Sequence, residues 1–195
     1  MTGAENVLIK CGTDLIRIER ISQAIQRQGR PFLNRIWTVE EQADCRLTMQ
    51  AGCESSEQAD GVLSRLSAGS AASLAARFAA KEAVAKALGT GIGPLDVRWT
   101  DIVICRLSAA DGQTESVRDI LSDPDPVHPA MLRAPQVILK GGALERYQQL
   151  GGLSICVSLS HDGDLAMAYC VLLHEPAGAD PEMRNRCGTS QEPMP

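Results

Sequence analysis

The chain has 195 residues, of which 44% are hydrophobic, and a formal net charge of −5 at neutral pH. This length suits a single domain that can bury a core without needing disulfides or metals to fold. The acidic balance and the aromatic content of 3% argue against a nucleic-acid-binding surface, which needs clustered cations and rings for base stacking.

Cysteine usage indicates a reducing compartment. The chain has seven cysteines, an odd number, and no two of them are spaced as C-x-x-C. Four of them lie in apolar, strand-like runs. They are typical of small core residues rather than of a disulfide framework or a zinc site. The amino terminus lacks the pattern of a secretory leader, and the longest apolar run, 165–173, is too short to cross a bilayer as a helix. We expect a cytoplasmic protein.

The first half of the chain predicts one strand and several helices. A strand at 7–11 is followed by Gly12-Thr13-Asp14 and then by a helix whose apolar positions share one face, with a break at Gly29-Arg30-Pro31. Thr38 is an expected N-cap of the next helix. The segment 45–73 is rich in Gly, Ser, Ala and Glu and predicts an insertion, and residues 71–88 predict a long alanine-rich helix.

The second half predicts more strand. A β-branched run at 97–107 and residues 136–140 are expected strands, separated by an acidic, proline-containing insertion at 109–135. A short helix is expected at 143–150. Two strands, 153–160 and 165–173, flank an Asp-Gly hairpin signal, and 174–195 is an expected disordered tail. The pattern predicts one α+β domain over 1–173, in which a small antiparallel sheet packs with helices.

The segment "RFAAKEAVAKALGTGIG", residues 77–93, holds the most concentrated candidate chemistry. Arg77 and Lys81 are four residues apart on one helix face, a like-charge spacing that costs a few tenths of a kcal/mol unless an anion lies between them. Glu82 falls at the margin of the buried stripe, and a partly buried carboxylate needs a partner, such as a hard cation. From these features alone, a solvated helix face is the simpler interpretation.

Two further groups could contribute to chemistry. Asp14 follows a strand and precedes a helix, so by itself it is best interpreted as an N-cap or turn residue. Ser160, His161 and Asp162 are consecutive, and consecutive residues point different ways, so they do not predict a catalytic triad.

The order of these segments resembles a known family. "CGTDLIRIERI", "PFLNRIWTVEE", "RFAAKEAVAKALGTGIG" and "VSLSHDGDLAMAYCVL" together are similar to holo-acyl-carrier-protein synthases, which belong to the 4′-phosphopantetheinyl transferases. The resemblance implies an enzyme of fatty acid biosynthesis and lipid metabolism. Such an enzyme transfers 4′-phosphopantetheine from coenzyme A to a serine of an apo acyl carrier protein and releases adenosine 3′,5′-bisphosphate.

The resemblance also implies site residues. Asp14 and Glu82 match the family's Mg²⁺ ligands, and Asp14, Glu82 and Lys86 match its catalytic residues. Contacts with the coenzyme are implied for Arg77, Lys81, Lys86, Gly89, Thr90, Gly91, Ser160 and His161. A homotrimer that shares sites between subunits is implied as well.

Five arginines and one acid lie between Asp14 and Ile36. We expect Arg20, Arg27 and Arg30 to dock the acidic carrier protein. Two alternatives to the enzyme stay open: a non-catalytic coenzyme A or nucleotide-binding protein of the same fold, and a structural trimer whose arginine helix only docks a partner.

Overall fold

The computed structural model describes residues 7–45, 47, 66–106 and 134–175. Its larger sheet has three antiparallel strands in the order β1-β5-β4. Strand β1 (Leu8–Arg17) pairs along its whole length with β5 (Leu165–His174), and β4 (Gly152–Asp162) pairs with the other edge of β5. The turn between β4 and β5 has Gly163 at φ 55°, so the Asp-Gly hairpin prediction is confirmed.

Strand β1 extends further than its sequence indicates. It continues through Asp14, which pairs with Ala168 of β5, and ends at Arg17. The prediction that Asp14 caps a helix or occupies a turn is therefore wrong. The strand continues because β5 is as long as β1 and keeps pairing beyond Gly12.

Helix α1 (Ile18–Ile36) follows directly and bends where the sequence predicts a break. Gly29 has non-helical angles with φ 59°, and Pro31 lies in the next turn. The face with Ile21, Ile25 and Phe32 is buried, as expected from its spacing. Helix α2 (Val39–Asp44) begins with the predicted Thr38 cap, and the Glu41 side chain completes a capping box.

Helix α3 (Ala68–Leu88) is the central element of the core. It is capped by Ser67 and ends at Gly89, which has φ 75°. Residues 68–73, which were expected to belong to an insertion, are its first turns. The helix packs on one face of the larger sheet, where Ala83, Ala87 and Leu88 are buried with Ala166, Ala168 and Leu172.

A second sheet has two antiparallel strands, β2 (Ile102–Arg106) and β3 (Pro135–Leu139). The strand expected from residue 97 begins later, because residues Pro94–Asp96 and Trp99–Asp101 form 3₁₀ turns. Helix α4 (Gly141–Gln149) connects β3 to β4, close to its prediction. The mixture of helices with small antiparallel sheets confirms the expected α+β class.

Some predictions fall outside the described residues: most of both insertions and residues 176–195 of the expected tail. His174 belongs to β5 rather than to a tail and is buried, with Nδ1 3.1 Å from the Leu150 carbonyl oxygen. Within the described ranges, no helix is both long and apolar enough to span a membrane.

Candidate functional site

Three of the predicted catalytic side chains come together between β1 and α3. Asp14 projects from the middle of β1, and Glu82 and Lys86 lie one turn apart on α3. The Lys86 Nζ is 2.9 Å from Asp14 Oδ1 and 2.7 Å from the Thr13 carbonyl oxygen. Residues more than 70 positions apart in sequence therefore form one charged cluster, which we call the Asp14 cluster (Asp14, Glu82, Lys86).

Burial and the charges of Asp14 and Lys86 shift the pKa of the Glu82 carboxyl. The pKa of its carboxyl is raised above the usual value by burial first and then by the negative charge of Asp14, while Lys86 acts in the opposite direction. The two carboxylates are thus close enough to repel each other. A single lysine, whose side chain is half exposed, offsets this repulsion only in part.

The donor set of the cluster suits a hard divalent cation. Carboxylate oxygens are the ligands that Mg²⁺ prefers, and Mg²⁺ is commonly held by one or two carboxylates together with substrate phosphates and waters. Among the described residues, no group of three or more His, Cys, Asp or Glu side chains could hold a metal. A cation at Asp14 and Glu82 would therefore need ligands from a substrate or solvent.

Gly12 determines how closely β1 and α3 approach. A Cβ atom built on Gly12 would lie 2.9 Å from the Ala87 nitrogen and 3.0 Å from the Ala83 carbonyl carbon, and it would collide with the Ala83 oxygen. Only a residue without a side chain allows the helix backbone to pass this near to the strand. Because Ala83 follows Glu82 and Asp14 is two residues after Gly12, this contact brings the two carboxylates together.

The turn after α3 has a backbone that is open to a ligand. Gly89, Gly91 and Gly93 have φ of 75°, 68° and 106°, and a Cβ at any of them would meet nothing within 4 Å. The Thr90 hydroxyl bonds within this turn, to the carbonyl oxygens of Ala85 and Gly91. The turn begins three residues after Lys86, so a diphosphate beside Lys86 could also contact its backbone.

Ser160 and His161 point to opposite faces of the larger sheet, as successive strand residues must. His161 is paired with Ala166 and shares the face that carries α3, whereas Ser160 is paired with Met167 on the other face. Both are exposed, and neither touches the Asp14 cluster. Within one chain, these two side chains do not converge on one ligand.

Arg77 and Lys81 lie elsewhere, on the side of α3 that faces β2. The Lys81 ammonium is fully buried and contacts Glu41 Oε2 at 2.8 Å and the carbonyl oxygens of Trp99 and Ile102 at 2.9 and 2.6 Å. With no exposed surface, this ammonium could reach the coenzyme only if these bonds opened, so the coenzyme contact implied for Lys81 stays a prediction that the geometry does not favour. Arg77 is almost as buried and pairs with Asp44 at 3.2 Å, so its contact with the coenzyme stays a prediction.

Arg77 and Lys81, together with the two acids Glu41 and Asp44 of α2, form hydrogen bonds with backbone groups on the edge of β2 that does not pair with β3. We call these four residues the edge clamp (Glu41, Asp44, Arg77, Lys81). Glu41 accepts from the Ile104 nitrogen at 3.0 Å, and Asp44 accepts from the Arg106 nitrogen at 3.1 Å. Arg77 donates to the Ile104 carbonyl oxygen at 3.0 Å, and Lys81 to that of Ile102. The clamp supplies the anions that the like-charge spacing of Arg77 and Lys81 requires.

Glu41 is the member of this network that the sequence analysis missed. Besides capping α2, Glu41 links α3 to β2. Its carboxylate has no exposed surface and accepts from the Thr38 nitrogen, the Lys81 ammonium and the Ile104 nitrogen. Burial stabilises the neutral form of Lys81 and lowers its pKa, and the charge of Glu41 opposes that shift. A Glu that follows a capping Thr by three residues, near two helical cations, is a weak signal for such a pair.

The predicted docking arginines occupy the outer side of α1. Arg20 and Arg27 are exposed, and Arg30 is half-buried. Arg27 bonds only within its own helix, to the Gln23 carbonyl oxygen. These three arginines, which we call the cationic stripe, are spread along α1 on both sides of its bend at Gly29, and Arg20 is only six residues after Asp14.

The larger sheet leaves one face uncovered by the described residues of the chain. Ile9, Leu15, Met167 and Tyr169 expose 70%, 59%, 44% and 42% of their surfaces on this face. Cys11 and Cys156 lie in the same cross-strand row, with Val171 between them. An exposed apolar face of this extent is typical of an interaction surface.

Comparisons with known proteins agree on one family. The family model described as the 4′-phosphopantetheinyl transferase superfamily matches residues 10–133. The holo-[acyl-carrier-protein] synthase of Ruminiclostridium cellulolyticum is 37% identical over 83% of this chain and 89% of its own. The structure of the Helicobacter pylori holo-[acyl-carrier-protein] synthase with coenzyme A is similar at a TM-score of 0.54 and 25% identity, covering 83% of this chain and 98% of that one. The Neisseria meningitidis synthase is similar at a TM-score of 0.55 and 26% identity, covering 84% and 96%.

Proposed function

Because the chain belongs to the 4′-phosphopantetheinyl transferase superfamily, we propose that it transfers 4′-phosphopantetheine from coenzyme A to a serine of an acyl carrier protein. The observation that carries the proposal is the Asp14 cluster, in which two carboxylates and an ammonium meet beside an open glycine turn. A polyanionic diphosphate substrate accounts for this combination of residue types and for the open backbone next to them.

The reaction forms one bond and breaks another at the same phosphorus. The serine oxygen of the carrier protein attacks the β-phosphorus, and the diphosphate bridge breaks so that adenosine 3′,5′-bisphosphate leaves. Glu82, or a water it holds, accepts the serine proton. In the absence of a bound cation, burial and the charge of Asp14 raise the pKa of the Glu82 carboxyl, an effect that a divalent cation at the cluster would oppose.

Lys86 is placed to offset negative charge on the diphosphate. Its ammonium is half exposed and is held by Asp14 and the Thr13 carbonyl oxygen, so it can turn to a phosphate without crossing the core. Asp14 and Glu82 would hold the Mg²⁺ ion. When bound, such an ion polarises the phosphoryl group and neutralises charge on the leaving group.

The remaining coenzyme contacts are proposed for the glycine turn and for the end of β4. Gly89, Thr90 and Gly91 offer backbone that can approach a phosphate. Since His161 and Asp14 lie on strands separated by β5, we propose that the ribose phosphate meets the His161 of a neighbouring subunit. The uncovered apolar face of the sheet supports self-association, which we propose forms a homotrimer.

The carrier protein is proposed to dock on the cationic stripe of Arg20, Arg27 and Arg30. A stripe of one sign on an otherwise acidic protein favours an acidic partner and speeds its encounter. Localisation in the cytoplasm also stays a prediction.

A mass measurement tests the function. The chain is incubated with coenzyme A, Mg²⁺ and an apo acyl carrier protein, and the carrier protein is weighed before and after. Addition of one phosphopantetheine by the wild type, and its loss in a folded Glu82→Gln variant, supports transfer. Binding of coenzyme A without any gain in carrier-protein mass would instead identify the non-catalytic alternative.

A further inference from the structure

We infer that the buried Lys81–Glu41 pair is a positioning device that holds α3 at the rotation in which Glu82 faces Asp14. The inference rests on the proposed function, because it concerns how the metal-binding carboxylates are brought together. It assigns to Lys81 and Glu41 a role in the reaction that involves no contact with substrate.

The composition of α3 creates the need for such a device. Ten of its 21 residues are alanine, and its large apolar side chains are Leu74, Phe78, Val84 and Leu88. Helices lock against their neighbours through ridges of side chains that fit into grooves, and methyl groups form only shallow ridges. Apolar packing therefore specifies the rotation of this helix weakly.

Only a small rotation of α3 is compatible with metal binding by Glu82 and Asp14. A side-chain tip lies about 5–6 Å from a helix axis, so a rotation of only about 10° moves it by about 1 Å. Metal–ligand distances vary by about 0.2 Å in well-formed sites. A helix free to turn by a few degrees would bring Glu82 and Asp14 together only part of the time.

The Lys81–Glu41 pair supplies directional restraint one residue away from Glu82. The buried ammonium has acceptors on α2, on the 3₁₀ turn at Trp99 and on β2, at distances between 2.6 and 2.9 Å. Glu41 is itself fixed by the backbone nitrogens of Thr38 and Ile104. Any rotation or sliding of α3 at this level breaks at least one bond to a charged group that has no access to water.

The second pair of the edge clamp offers a matched control. Arg77–Asp44 also joins α3 to α2 and β2, but it lies one turn further from Glu82, and its carboxylate is one-third exposed. Glu41→Gln and Asp44→Asn each remove one charge from one pair while preserving the shape of the side chain. Both changes are expected to lower the melting temperature, but only Glu41→Gln should disturb the Asp14 cluster.

The experiment measures Mn²⁺ binding to each variant with coenzyme A present, by the loss of the free-ion electron paramagnetic resonance signal, together with the melting temperature. We expect Mn²⁺ affinity to fall at least about tenfold in Glu41→Gln, as for other residues that orient a metal ligand. It should stay within about twofold of wild type in Asp44→Asn. The inference would be overturned if Mn²⁺ affinity fell equally in the two variants, or if in each variant it fell only in proportion to the loss of melting temperature.

A double variant separates positioning from stability by a second route. Glu41→Leu/Lys81→Met removes both charges of the buried pair together, so no unpaired charge is left in the core, although four backbone groups lose a partner. We expect it to melt above Glu41→Gln, which leaves the Lys81 ammonium without its counter-charge, and still to bind Mn²⁺ at least about tenfold more weakly than wild type, with the KM for carrier protein unchanged. Recovery of both stability and Mn²⁺ affinity would show the pair to be purely structural. Failure of the wild type to bind Mn²⁺ or to modify the carrier protein would refute the proposed function instead.

Discussion

Replacing Gly12 with alanine should uncouple folding from activity. The new Cβ atom would lie 3.0 Å from the Ala83 carbonyl carbon and 2.9 Å from the Ala87 nitrogen, with the Ala83 oxygen nearer still. Carbon atoms in contact prefer about 3.5–4.0 Å, so α3 must retreat by at least about 0.5 Å, and by about 1 Å once the oxygen is accommodated. All three obstructing atoms are backbone, so no side-chain rotation relieves the clash.

The retreat acts on the Asp14 cluster directly, because Glu82 precedes Ala83 and Asp14 is two residues beyond Gly12. Overpacking of this kind costs about 1–3 kcal/mol of stability. A displacement of about 1 Å at reacting groups can cost about 100-fold in rate. We therefore expect Gly12→Ala to remain folded at 20 °C and to lose about 100-fold in kcat/KM.

The assay is steady-state modification of apo carrier protein at saturating coenzyme A and Mg²⁺, with thermal unfolding followed in parallel. Gly69→Ala is the matched control, since it lies in the first turn of α3 with open space around it and should gain up to about 1 kcal/mol of helix propensity. A Gly12→Ala enzyme that keeps kcat/KM within threefold of wild type would show that the gap between β1 and α3 does not set the separation of the carboxylates.

Further predictions concern single features of the site and surfaces. Lys86→Met should lower kcat/KM about 100-fold and weaken coenzyme A binding, as measured by steady-state kinetics and calorimetry, and unchanged binding would exclude its contact with the diphosphate. Charge reversal at Arg20 and Arg27 should raise the KM for carrier protein about tenfold at low salt, an effect that fades at 0.5 M salt while the KM for coenzyme A stays constant; a salt-independent effect would argue against electrostatic docking. Leu15→Asp, on the uncovered sheet face, should yield a smaller species by light scattering and expose Cys11 and Cys156 to maleimide; an unchanged mass would place any subunit interface elsewhere. Burial raises the pKa of Cys45 to about 11, so about one thiol in a thousand is ionised at pH 8 and Cys45 should resist alkylation in the native protein; rapid labelling would mean that this part of the core opens readily.

Local patterns in the sequence predicted most of the fold. The break of α1 at Gly29, the Thr38 cap and the β4–β5 hairpin each follow from a few neighbouring residues whose preferences agree. The length of β1 did not follow in this way, because the strand continues for as long as β5 pairs with it. That pairing joins residues about 150 positions apart, which no local pattern can indicate.

Local sequence patterns likewise indicated only some of the residues of the candidate site. The helix pattern indicated Glu82 only as a carboxylate at the margin of the buried stripe, and the family resemblance added Asp14 and Lys86. The resemblance implied a coenzyme contact for Lys81, whereas the direction of this side chain depends on which side of α3 the elements α2 and β2 pack. The buried role of Glu41 arises from that same packing, so capping chemistry alone could not reveal it.

The edge clamp also has a consequence for misassembly. Charged side chains occupy the backbone donors and acceptors that β2 would otherwise present to a strand from another molecule. An open strand edge is a template for aggregation and domain swapping. Losing both acids of α2 would thus expose a surface on which foreign strands can add, and the resulting failure would be polymerisation under conditions in which most of the chain is still native.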